Sequence, residues 1–306
     1  MTQHLKELLH KVKLDQSPHL VVAAGQDEET LQAVTRARKE NVCEVTLIGN
    51  KKIIKQISQR DNLDVTSLTI IDQKDADKAT EQAVSLVKQG KADFIMKGMV
   101  KTTTYMKKIL DKKFGLLSQE GLLCHIALME IPTYSKLLLI SDAAVIPKPT
   151  SEQKIKMIKY TVETARALGI EKPKVAVISA VETISIKVKS TVDAAVITAM
   201  NKRGQIKGAI IDGPLALDVA LSARNCRIKG LDSPVNGEAD ILIFPNIETA
   251  NTFYKSTTLL AHAKAAAVVA GTTAPVILPS RADDDDTKFF SIVFASHLAS
   301  KKIYHP

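Results

Sequence analysis

Tryptophan is missing from this chain of 306 residues, aromatic side chains make up only 4%, and there are three cysteines. So few aromatics leave no stacking platform of the kind single-stranded nucleic acid needs. Basic residues outnumber acidic ones by 42 to 33, but they are scattered, so the net charge of +9 suits phosphorylated partners in general without marking a nucleic-acid binder. Cys43, Cys124 and Cys226 lie far apart without metal-ligand spacing, which excludes a disulfide framework and points to buried thiols in a reducing, cytoplasmic compartment. No apolar stretch reaches the roughly 18 residues of a membrane span. Residues 1–14 mix leucines with His and Lys as an amphipathic first helix does, with no signal-peptide core.

What is present is a soluble-enzyme composition, 45% hydrophobic and 25% charged, with length enough for about two domains. Apolar runs at residues 20–24, 44–48, 67–71, 93–96, 137–140, 175–179, 208–211, 239–244, 267–270 and 275–278 read as strands. Between them, residues 28–39, 76–88, 152–167 and 191–201 carry apolar side chains three and four apart, as helices do. That alternation predicts an α/β fold with mainly parallel sheets. Pro147 and Pro149 forbid a regular ladder and Thr150 can cap the next helix, so a hinge is expected there.

In open α/β sheets, ligands collect at the carboxyl ends of strands, where helix N-termini offer unpaired N–H groups to anions. Pro279-Ser280-Arg281-Ala282-Asp283 leaves the run 275–278 and brings a hydroxyl, a guanidinium and a carboxylate to one such end. Asp212-Gly213-Pro214 follows another strand; Gly213 permits close backbone approach and Pro214 suits a first helical turn, although a plain strand-to-helix turn explains the same residues. Asn251 and Lys255 stand four apart on one helix, able to hold a phosphate or a carbonyl or simply to be solvated. Lys97-Gly98 with Thr102 forms a third anion-friendly junction, and His125 sits in an apolar run that fits a core histidine as well as a donor to a carbonyl. The tetrad of residues 283–286 lacks calcium-loop spacing, and the helix dipole is reason enough for acidic residues in a first turn, so no metal is expected.

Together with Ser141-Asp142-Ala143-Ala144, Ser179-Ala180-Val181-Glu182, Ser190-Thr191-Val192-Asp193 and Pro245-Asn246-Ile247-Glu248, these blocks resemble, in order, those of the phosphate acetyl/butyryltransferase family, and most of all its phosphate butyryltransferase branch. The resemblance implies reversible exchange of a short-chain acyl group, butyryl or acetyl, between coenzyme A and inorganic phosphate. CoA enters as a substrate, with no tightly bound cofactor, no membrane or nucleic-acid partner, and a homo-oligomeric assembly. It implies two α/β/α lobes of the isocitrate/isopropylmalate dehydrogenase type, residues 1–141 with 284–306 and residues 142–283, and an active site in the cleft between them. Arg281, Lys255, Lys97, Thr102, His125, Asp212, Gly213 and Pro214 then bind phosphate or CoA, while Ser280, Asn251 and a carboxylate, Asp283 or Asp286, act in catalysis. The sequence departs from the family at Cys124 and Ala250, where Ser and Gly are usual, at Asn236, where Ala is common, and at Thr287, where the acetyl branch has its proposed base. A serine acyl-enzyme, a metal-dependent NAD(P) dehydrogenase on the same frame and a noncatalytic CoA- or phosphate-binding protein are the alternatives.

Overall fold

Short apolar runs become strands here because helices cover them, and the helices begin where a side chain can take up free amides. Asp27, Asn50, Asp75, Thr150, Asn246 and Asp284 each accept from a backbone N–H of the helix they precede. Thr150 completes a capping box with Gln153, as expected, but residues 147–150 lie within one compact unit and mark no hinge between units. The computed structural model describes residues 4–12, 17–118, 121–280 and 283–303. Arg281 lies outside the described residues. The chain forms two compact units, a terminal one of Lys6–Leu123 with Ala265–Pro306 and a central one of Cys124–Lys264 with Met1–Leu5.

The chain opens with α1 (Leu5–Val12), β1 (His19–Ala23), α2 (Glu28–Lys39), β2 (Glu44–Gly49), α3 (Lys51–Arg60), β3 (Thr69–Asp72), α4 (Ala76–Lys88), β4 (Phe94–Lys97) and α5 (Thr102–Ile109). Next come β5 (Cys124–Glu130), β6 (Leu138–Ser141), α6 (Ser151–Ala167), β7 (Lys174–Ile178), α7 (Lys189–Lys202), β8 (Ile210–Leu215), α8 (Leu217–Leu221), α9 (Ala223–Ile228), β9 (Ile241–Ile243) and α10 (Ile247–Leu260). It closes with β10 (Lys264–Ala270), β11 (Val276–Ile277) and α11 (Asp285–Ser300).

In the terminal unit the strand order is β3-β2-β1-β4-β11-β10, parallel except for β10 against β11. Leu20, Val21, Val22 and Ala23 of β1 have no solvent exposure, as expected of a central parallel strand covered on both faces. Helix α11 is apolar nearly all round, with Phe289, Ile292, Val293, Phe294 and Leu298 buried, and it packs on α2 while the Ser296 hydroxyl donates to the Val42 carbonyl. In the central unit the order is β5-β6-β9-β7-β8, parallel except for β5 against β6.

Three features differ from the sequence reading. Residues 124–130 form β5, absent from the expected strands; the run is buried almost throughout and lacks the alternation that marks a half-exposed strand. Because β5 pairs with β6, the units part at Leu123/Cys124 and Lys264/Ala265 and not at residues 141/142 and 283/284. Asp212, Gly213 and Pro214 belong to β8 itself, so Pro214 does not open a helix; the Gly213–Pro214 bond is cis, and the β7–β8 register shifts beside it.

Candidate functional site

In the terminal unit, β1, β4 and β11 run side by side in one direction, which gathers their carboxyl ends. The Gly98 N–H donates to the Ala23 carbonyl at 2.8 Å, and a Cβ on Gly98 would collide with the Ala24 carbonyl, so the two strand ends meet backbone to backbone. Lys97 is 5% exposed and its ammonium donates to the Gly98 carbonyl at 3.3 Å. Thr102, exposed, is the first residue of α5, whose first turn has no side-chain cap. Beneath it Tyr105 is fully buried; its phenol, held well above the usual range by burial, donates to the Ile277 carbonyl at the end of β11.

Ser280 follows β11 and is exposed. Its N–H donates to the Asp283 carboxylate at 2.7 Å, and the Asp283 N–H returns to the Ser280 carbonyl at 3.3 Å, so the two residues are tied to each other twice. The other carboxylates of the tetrad separate. Asp284 caps α11, and Asp286 pairs with Arg36 of α2, whose guanidinium lies 3.8 Å over the Phe289 ring. Among the described residues no group of three or more His, Cys, Asp and Glu side chains converges for a metal.

In the central unit the groups collect at the end of β6. His125 faces Asp142 across the β5–β6 pair, is 7% exposed, and donates its N–H to the Asp142 carboxylate at 3.0 Å. Its ring meets Tyr254 edge-on at 6.4 Å, and the Lys255 ammonium lies 5.6 Å from the centre of the same Tyr254 ring. Asn251, exposed on α10, donates through Nδ2 to the Ala143 carbonyl at 3.0 Å. Cys124 is the first residue of β5; burial first, then the neighbouring Asp142 charge, push its thiol far up.

His125, Asn251 and Lys255 therefore share one corner of the central unit, and Lys97, Ser280 and Asp283 share one edge of the terminal unit. Asp212, Gly213 and Pro214 stand apart on β8, with three strands between them and β5, about 19 Å at the usual strand spacing. The Asp212 carboxylate accepts from the Ser233 hydroxyl at 2.6 Å, and a Cβ on Gly213 would press on the Val177 carbonyl, so this motif is built into packing. Asp193 and Glu182 are likewise engaged, with Lys154 and Lys229. Asp142, which the sequence reading placed in a resembling block without assigning it a role, is the residue whose part only the structure brings out.

Parallel sheets with hydroxyl, carboxylate, amide and ammonium groups at the carboxyl ends of their strands define an α/β enzyme of the open-sheet class. The chain belongs to the phosphate acetyl/butaryl transferase family, a family of acyltransferases, whose model matches residues 4–83 and 73–296. It is 41% identical over 302 residues to the phosphate butyryltransferase of Clostridium acetobutylicum, covering 99% of this chain and 100% of that protein. With the phosphate acetyltransferase of Thermotoga maritima it shares 43% identity over 280 residues, 92% of this chain and 95% of the relative. The crystal structure of a branched-chain phosphotransacylase from Enterococcus faecalis superposes with a TM-score of 0.82 at 32% identity, over 94% of this chain and 100% of that one. The 4-hydroxythreonine-4-phosphate dehydrogenase of Klebsiella pneumoniae, at 11% identity and a TM-score of 0.56 over 93% of this chain and 100% of that one, shares the fold alone.

Proposed function

We propose that the protein transfers a short-chain acyl group, butyryl in the first place and acetyl as the alternative, reversibly between coenzyme A and inorganic phosphate within a ternary complex. The observation that carries this reading is the Ser280–Asp283 pairing. It sets an exposed hydroxyl at a strand mouth with its main chain locked to Asp283, in a chain related to phosphate acyltransferases along nearly its whole length.

In the direction of acyl phosphate, a phosphate oxygen attacks the thioester carbonyl, the tetrahedral oxyanion collapses, the C–S bond breaks, and the proton of hydrogenphosphate ends on sulfur. Asp283 carries that proton; in reverse it takes the proton from the CoA thiol and the thiolate attacks acyl phosphate. Asp283 is preferred over Asp286 because Asp286 is neutralised by Arg36. Arg281 holds the phosphoryl oxygens as a fork, and Ser280 with Asn251 or Lys255 donates to the oxyanion. Lys97 and Thr102 meet phosphate or the CoA diphosphate beside the uncapped first turn of α5. His125 polarises the acyl carbonyl, and Asp212, Gly213 and Pro214 shape the CoA site through the Ser233 turn. Three free, buried cysteines suit a reducing compartment, and we assign the protein to the cytoplasm as a homo-oligomer.

Thiol release from a panel of acyl-CoAs, with phosphate present and absent, tests the reading, with arsenate as a second acceptor. Phosphate-dependent release is expected, strongest with butyryl-CoA. Equal release without phosphate or arsenate, or none with any acyl-CoA, sinks it.

A further inference from the structure

Asp142 is a 2%-exposed carboxylate with no role in the mechanism above. Its Oδ1 accepts from the Ala144 and Val145 amides at 2.8 and 2.9 Å, and its Oδ2 from the Ile146 and His125 amides at 3.2 and 3.0 Å. Four N–H donors around one buried carboxylate fold the chain after β6 into a fixed corner. The corner is also tied to β9 and α10, since Phe244 donates to the Ser141 carbonyl and Ile247 to the Pro147 carbonyl, both at 3.0 Å. The outward product of this construction is the Ala143 carbonyl, which accepts from Asn251. A carbonyl can bond only the NH2 end of an amide, so this contact fixes which way the Asn251 side chain is turned. The second N–H and Oδ1 are thereby held in one orientation.

We infer that Asp142 is a positioning residue for acyl transfer: through the Ala143 carbonyl it holds the Asn251 amide in the orientation that donates to the tetrahedral intermediate. The inference rests on the proposed function and adds to it a residue that touches no substrate. A group that must meet a developing oxyanion loses its effect when displaced by about 1 Å, worth on the order of 100-fold in turnover.

The test is a double-mutant cycle with D142N and N251A, reading kcat and KM for acyl-CoA and phosphate. D142N keeps the shape but turns an NH2 toward two of the four donors. Expected is a fall in kcat of about 100-fold with both KM values little changed, and almost no further fall, within about threefold, when D142N is added to N251A. Wild-type kcat in D142N, or the same loss in both backgrounds, overturns the inference. If D142N does not fold, N251Q decides, because α10 presents this residue to solvent and tolerates the change. Gln keeps the amide but cannot both bond the Ala143 carbonyl and present it at the same place. Loss equal to N251A supports the anchor; activity within threefold of wild type overturns it. Failure of the functional reading is separate, since wild type would then release no thiol with phosphate.

Discussion

Arg36 and Asp286, 250 residues apart in sequence, form an ion pair that joins α2 to α11. The pair occupies Asp286, whereas Asp283 accepts from the Ser280 N–H, and on the proposed mechanism this favours Asp283 as proton carrier. The carboxylates of Asp283 and Asp286 thus differ in their partners.

Exchanging each for its amide distinguishes them. D283N is expected to lower kcat by about 10² to 10⁴, the range of a lost general acid–base group. In D286N kcat stays within about threefold of wild type, and the protein loses no more than about 1 kcal/mol, because both partners of the pair are more than a third exposed. Steady-state kinetics with urea unfolding of both variants checks this, and the reverse ranking would make Asp286 the base.

The Lys154–Asp193 pair gives a prediction about stability and pH. Lys154 is 4% and Asp193 6% exposed by side chain, with 2.8 Å between them, and Ser151 and Lys189 also bond Asp193. Burial alone would raise the Asp193 carboxyl, but hydrogen bonds from Lys154, Lys189 and Ser151 outweigh it and hold the group below the ordinary value. A depressed carboxyl adds stability above its unfolded value, about 3.9, and that stability is lost as pH falls through the folded value. K154M is expected to cost about 1.5–3 kcal/mol at neutral pH, the loss of one hydrogen bond to a charged group, because Lys189 and Ser151 still hold Asp193, and K154M/D193L to recover most of it. Urea midpoints at neutral pH and near pH 3 measure both effects; D193L should flatten the acid limb.

A third prediction concerns the thiols. Cys43 and Cys124 are fully buried and Cys226 is 1% exposed, and burial is the first cause raising all three. Thiolate, not thiol, reacts with disulfide reagents. Native protein is therefore expected to give no fast reaction with a chromogenic disulfide and three equivalents in denaturant, so a thiol-release assay reads CoA alone. A fast equivalent in the native state would contradict the burial.

The sequence showed the α/β alternation well, since a run such as Leu20 to Ala23 needs only local hydrophobicity to be read as a strand. It misled at Pro214, where a residue that ordinarily starts helices sits in a strand at the end of the central sheet order. It misplaced the unit boundaries, at 141/142 and 283/284, because these follow from β5 choosing β6 as its partner, a choice encoded in tertiary packing. For the site, Ser280 and Asp283 were legible from their place after an apolar run. The difference between Asp283 and Asp286 was not, because it depends on Arg36, far off in the chain. The role of Asp142 escaped for the same reason: its four donors are backbone amides, which nearly every residue has and no motif records.

The terminal sheet is interrupted in the chain, since β4 is flanked by β1 on one side and by β11 on the other, with the central unit encoded between them. During synthesis β4 therefore emerges long before its second neighbour, on the order of ten seconds at ribosomal speed. For that interval Phe94–Lys97 offers an apolar, unpaired edge to other nascent chains. The arrival of β11 both seals that edge and brings Ser280 to the mouth of the same sheet, so a growing polypeptide completes that strand end at the moment it covers an open edge.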